Sequence, residues 1–187
     1  IPTVVHVLHL GEPVGVGTNI SDAQIYSAID NLNDRFSGVL GIGPDMEIDF
    51  CMAGQDPEGN SSNGINRINA FDVCDNGKCY NDLGMVKGSG GNEDALKDLS
   101  RWNNCEYYNI WVVSEIDGND GQSGIQGFAY FPNSSSNVDG TVILYNACGT
   151  EGNLKSATDK NTVITHEMGH AFGLYHTFQG DQGGSNC

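Results

Sequence analysis

Basic residues are scarce in this chain: 8 Lys and Arg stand against 24 Asp and Glu, a formal charge of −16 over 187 residues. A surface of that sign repels phosphate backbones, which argues against nucleic acid as a partner and favours bound cations. No run of about 18 consecutive apolar residues occurs, so no segment reads as a membrane-spanning helix and no membrane partner is expected. A basic, apolar, small-residue signal is also missing from the front. Ile1-Pro2-Thr3 leads straight into a strand-like run, and the start reads as a processed or trimmed N-terminus. No two cysteines form a C-x-x-C pair, which removes a thiolate zinc ribbon and a thioredoxin-type redox site. The six cysteines (Cys51, Cys74, Cys79, Cys105, Cys148 and Cys187) are scattered and read as disulfides of a secreted protein. Cys74 and Cys79 flank a short polar turn and could close a small loop; the pairing otherwise stays open.

What is present is an interleaving of strand and helix signals. The β-branched run at 3–10 predicts a buried strand. Ser21 with Gln24 makes a capping box, Ile20 and Ile25 a hydrophobic staple, and Ile25, Ile29, Leu32 and Phe36 the face of a helix that Gly38 stops. MEIDFCMA at 46–53 is the next strand candidate. Positions 54–91 are mostly loop, with a short strand at Ile65–Phe71. Asn92 predicts the cap of a helix through Trp102, its apolar face made by Ala95, Leu96, Leu99 and Trp102. Tyr107–Ile116, apolar on both faces in its middle, reads as a central strand. Ile125–Phe131 and Thr141–Asn146 are further strands, and a last helix starts near Asp159 and runs through Ala171. The pattern is one α/β (α+β) unit, a mixed twisted sheet backed by helices. His6 and His9 read as ordinary sheet positions on opposite faces, Trp102 and Trp111 as core, and the acidic turn at 117–121 as a solvated hairpin.

The stretch that carries chemistry is THEMGHAFGLYH at 165–176. His166 and His170 lie one helical turn apart on one face and can aim one nitrogen each at a single ion. Glu167 projects about 100° round the helix from His166 and about 60° from His170, within reach of a water on that ion without being a ligand itself. Gly173 tolerates a left-handed backbone and ends the helix, so that the chain can turn and His176 can supply a third nitrogen. Three protein ligands plus an exchangeable position is the arrangement of one catalytic Zn²⁺ rather than of a closed structural site. Zinc lowers the pKa of its water from near 16 towards roughly 7, and Glu167 is placed to act as general base.

HExxHxxGxxH, filled here by His166, Glu167, His170, Gly173 and His176, resembles the metzincin pattern. The extension GLYHTFQG (173–180), with NIWVVSE (109–115), GFAYFP (127–132) and DGTVIL (139–144) upstream, is similar to the pappalysin and cytophagalysin family. The resemblance implies a secreted zinc metalloendopeptidase acting on proteins or peptides. Its fold would be a metzincin N-terminal subdomain: a five-stranded twisted mixed sheet, a backing helix and an active-site helix. It also implies that an antiparallel lower strand binds extended substrate by strand addition, which assigns substrate binding to Gly127, Phe128, Ala129 and Tyr130. Residues 1–187 would then be a metzincin catalytic domain up to the start of its C-terminal subdomain. The methionines are Met46, Met52, Met85 and Met168, so the family's methionine-containing turn is expected in a missing C-terminal part of the same protein, where Cys187 would find its partner. The chain is therefore read as truncated or cleaved and as having little activity by itself. Calcium is common in that family, chiefly bound downstream; Asp181 and Asn186 are the residues here that would contribute to a Ca²⁺ site. The competing reading is a non-catalytic zinc-containing module derived from a metzincin, which would have no use for Glu167.

Overall fold

Six buried residues in a row, Thr3 to Leu8, make Pro2–His9 (β1) a strand covered on both faces. The computed structural model describes residues 1–41, 43–121, 123–158 and 160–178; Asp181, Asn186 and Cys187 lie outside them. Helix α1 (Asp22–Phe36) starts where expected, with Ser21 Oγ accepting from the Gln24 N–H at 3.1 Å and Ile20 and Ile25 buried. The capping box is only half formed. Gln24 is buried and donates through Nε2 to the carbonyls of Tyr145 and Cys148, each at 2.9 Å, tying α1 to the loop that leads towards the last helix.

The 46–53 pattern yields a strand only at Cys51–Met52 (β2). Just before it, the Phe50 N–H and carbonyl are taken by the Asn33 side chain at 2.7 and 2.8 Å rather than by a neighbouring strand. Ile65–Asn69 (β3) is a strand as expected. Cys74–Asp75 (β4) and Lys78–Cys79 (β5) form a hairpin closed by the Cys74–Cys79 disulfide, followed by one turn of helix at Tyr80–Leu83 (α2). Among the described residues the other cysteines are free: Cys51 and Cys105 are exposed, and Cys148 is a buried thiol that burial pushes up to about 12. The expectation of several disulfides is met here by one.

Helix α3 (Glu93–Asp98) corrects the sequence reading twice. It stops short of Trp102, and its buried face is Glu93, Leu96 and Lys97, while Leu99 is 49% exposed. Asn92 makes no side-chain cap; its amide instead bonds the Val86 N–H and the Gly84 carbonyl. Strands Tyr108–Val113 (β6), Gly127–Ala129 (β7) and Thr141–Leu144 (β8) complete the sheet, and helix α4 (Thr162–Ala171) closes the described fold.

The strand order is β2-β1-β6-β8-β7, with β3 also on β1. Because β2 pairs with Pro2–Thr3 and β3 with Val5–His9, the six strands occupy five lateral positions. All pairings in this sheet are parallel except β7 with β8. Register lines up His6, Trp111, Val142 and Phe128 across one face, under α3. Val7, Val112, Ile143 and Gly127 line up on the other, the face that α4 packs on, with α1 packed against α4. The apolar core lies on both faces, and β7 is left as an edge strand. This is the mixed-sheet α/β fold the sequence implied.

Candidate metal centre

Helix α4 begins at a residue that sequence patterning does not single out. Asn161 takes a left-handed φ of 54° and is fully buried; its Oδ1 accepts from the Gly149 N–H, and its Nδ2 donates to the Ala28 carbonyl, both at 2.7 Å. These bonds fix the helix origin against α1. Ile164, Glu167 and Met168 form the buried stripe, and Thr141 Oγ1 on β8 points at Met168 Sδ at 3.8 Å. His166 and His170 are left on the flank of that stripe, facing the open side of the cleft.

Gly173, at φ +88°, ends the helix as expected. Its N–H bonds the His170 carbonyl and the Leu174 N–H bonds the Gly169 carbonyl, both at 2.9 Å, the paired reversed bonds of a Schellman turn. The turn brings His176 back over the helix. The three Nε2 atoms then form a triangle: His166 to His176 3.0 Å, His166 to His170 3.1 Å, and His170 to His176 3.1 Å. Tetrahedral zinc with nitrogen ligands at about 2.0–2.1 Å sets its ligands about 3.3 Å apart, so the triangle is within a few tenths of the size that ion needs. The proton count agrees. His170 Nδ1 lies 2.7 Å from the Leu174 carbonyl, which can only accept, so the ring proton is on Nδ1 and Nε2 presents a bare lone pair to the triangle. Burial, and then the neighbouring His170, hold His166 below the usual imidazole range, which keeps its nitrogen free to ligate. The donor set fits a borderline-soft divalent cation.

Glu167 sits beside the triangle, buried between α4 and β7. Burial pushes its carboxyl above the ordinary carboxylate range, partly opposed by His170, Lys87, the Ala129 backbone and His176. Gly127 permits the close approach of helix and strand. A Cβ there would stand 3.0 Å from the Val142 carbonyl, 3.1 Å from Val163 Cγ1 and 3.2 Å from Glu167 Cγ. A cleft of about 290 Å³ runs along β7, past Lys87, to Glu167 and the three histidines. Leu144 N–H bonds Gln126 O at 3.0 Å, so Gln126 and Phe128 turn their backbone groups to β8. Alternation then turns those of Gly127 and Ala129 outward to the open edge. Of the four residues assigned to substrate binding, Gly127, Phe128 and Ala129 line this cleft; Tyr130 follows the strand, and its hydroxyl donates to Glu93 Oε2 at 2.9 Å. His6 is buried in the sheet and bonded to Asn109, and His9 is partly exposed, so neither joins the cluster. Asn161, Gly127 and Lys87 are the positions that sequence reasoning missed in these roles. Only the Asn-Thr step before the helix and the small residue in GFAYFP offered a signal.

The sequence model of the pregnancy-associated plasma protein-A peptidase family matches residues 91–187, just over half of the chain. An extracellular metalloprotease of Pyricularia oryzae is 30% identical over 185 residues, which is 96% of this chain and 51% of that protein. Another, of Arthroderma otae, is 36% identical over 104 residues, 53% of this chain and 34% of that protein. Aligned over nearly its whole length, the chain thus spans about half of such a relative. Among solved structures, mature mirolysin of Tannerella forsythia in complex with a cleaved peptide aligns with a TM-score of 0.75 at 30% identity, covering 100% of this chain and 67% of that one. The chain belongs to the pappalysin family of metzincins, the peptidase family of pregnancy-associated plasma protein-A.

Proposed function

We propose that this chain carries the metal centre and general base of a secreted zinc-dependent metalloendopeptidase that hydrolyses peptide bonds in proteins or peptides. The observation that carries the reading is the Nε2 triangle of His166, His170 and His176, 3.0–3.1 Å on a side, with Glu167 buried beside it on the same helix. Zinc held by the three histidines supplies Lewis acidity toward a water and toward the scissile carbonyl. Glu167 accepts the proton of the attacking water and returns it to the departing amine. Its burial suits both halves of that task, since a carboxyl lifted above its ordinary range holds a transferred proton longer than an exposed one. The outward N–H and C=O groups of Gly127 and Ala129 hold the substrate as an added antiparallel strand, which lays its backbone across the metal centre. Secretion is supported by the extracellular relatives and by the disulfide-closed hairpin at Cys74–Cys79.

The test uses the full-length protein that contains this chain. Casein or a quenched peptide should be cut, a zinc chelator should stop the cutting, and added zinc should restore it. Cleavage that survives complete removal of metal would overturn the proposal.

A further inference from the structure

Eight basic residues in the whole chain make any lysine in the cleft conspicuous, and Lys87 is one. Its ammonium stands 4.3 Å over the Phe128 ring and 5.4 Å from that of Tyr130, beside the open edge of β7. None of the three ion pairs among the described residues includes it. The other lysine near these rings, Lys97, is buried and neutralised by Glu93 at 2.9 Å. Lys87 is therefore the exposed cation of this corner, and its charge is among those felt by Glu167.

The backbone that presents Lys87 is pinned. Three consecutive N–H groups are each taken by a side chain: Val86 by Asn92 Oδ1 at 2.7 Å, Lys87 by Asp117 Oδ1 at 3.0 Å, and Gly88 by Glu93 Oε2 at 3.0 Å. The same Glu93 oxygen accepts from the Tyr130 hydroxyl, so segment 86–88 and the end of β7 are held by one buried carboxylate. A loop anchored at every successive donor is a fixed mount for a side chain.

We propose that Lys87 is a specificity-determining residue, whose ammonium receives an Asp or Glu side chain from the peptide strand laid along β7. The inference rests on the peptidase reading above. In an antiparallel pair, directly opposed residues point to the same face. The substrate residue opposite Phe128 therefore projects towards the face where Phe128 and Lys87 meet, not towards α4. An acidic side chain there pairs with an ammonium that is in no ion pair among the described residues. In a chain of charge −16, this local cation also offsets the repulsion that an acidic peptide meets elsewhere.

The experiment takes the full-length protein and a set of neutral fluorogenic peptides in which one Glu or one Gln is placed at each position in turn. One position should show kcat/KM higher for Glu than for Gln by about threefold to tenfold, a preference that shrinks at about 0.5 M salt. Lys87→Gln should abolish the preference, and Lys87→Glu should turn it into a preference for a Lys-bearing peptide at that same position. A Glu/Gln ratio that is flat at every position, or that survives in both variants, overturns the assignment. Fluorescence anisotropy of the same peptides reads the preference without turnover. Absence of cleavage from every peptide thus counts against the peptidase reading, and equal binding of Glu and Gln peptides counts against Lys87.

Discussion

The carbonyl oxygen of Leu174 accepts a hydrogen bond from Nδ1 of His170 at 2.7 Å. The contact joins two consequences of one glycine. Gly173 reverses the chain so that His176 can reach His166 and His170 at the proposed metal position, and the same reversal puts the Leu174 carbonyl where it fixes the proton and the orientation of the His170 ring.

Gly173→Ala should therefore weaken metal binding without emptying the core. The nearest atom to a Cβ there is Pro132 Cγ at 3.6 Å, an ordinary contact, so the penalty is the left-handed backbone, about 1–2 kcal/mol. Zinc affinity, measured by competition with a chromophoric chelator, should fall about tenfold to a hundredfold while the circular dichroism spectrum is kept. Unchanged affinity would mean that His170 is held by something other than the turn.

The buried pair beneath β7 gives a second prediction. Lys97 Nζ lies 2.9 Å from Glu93 Oε1, with both side chains at most 1% exposed, and stands 4.8 Å over the Trp111 ring. Lys97→Met strands the Glu93 carboxylate in the core and should destabilise the fold by about 3–5 kcal/mol. The double variant Glu93→Gln/Lys97→Met should recover much of that loss in chemical denaturation, because no charge is then left unpaired. Equal losses for the single and double variants would show that packing, not the charge, sets the penalty.

That pair also shows where sequence reading stops. The clustering of the candidate metal site was legible because its residues are nearly contiguous: one helix and one glycine turn bring His166, Glu167, His170 and His176 together by local geometry alone. The strands carrying His6, Trp111 and Phe128 were legible from their apolar runs, though their ends were not. Lys97 and Glu93 are not among the residues that patterning put on the buried face of this helix, since nothing local says that a Tyr130 hydroxyl and an aromatic face will close over them. Gln24 looked like a cap partner, yet it is consumed by carbonyls more than a hundred residues away. Long-range partners of polar groups are set by tertiary packing, and a local pattern carries no record of them.

His6 gives a pH dependence. Burial, only partly offset by the bond to Asn109, pushes its pKa from 6.5 down to about 4. Below pH 6.5 the unfolded chain takes up a proton that the folded one refuses, so stability is fully present above 6.5 and is lost as pH falls towards 4. The loss amounts to something on the order of 3 kcal/mol. A His6→Gln variant should show a flatter denaturation midpoint between those limits by about one proton's worth of slope. Parallel profiles for the two proteins would assign the acid sensitivity elsewhere.

The central claim is that three histidines hold the metal and Glu167 does the proton transfer. The most direct test is zinc content and peptide cleavage measured side by side on the full-length protein and its Glu167→Ala variant. One zinc per molecule is expected in both, with cleavage lowered by about a hundredfold to ten-thousandfold in the variant. Cleavage unchanged in Glu167→Ala, with the zinc retained, would contradict it.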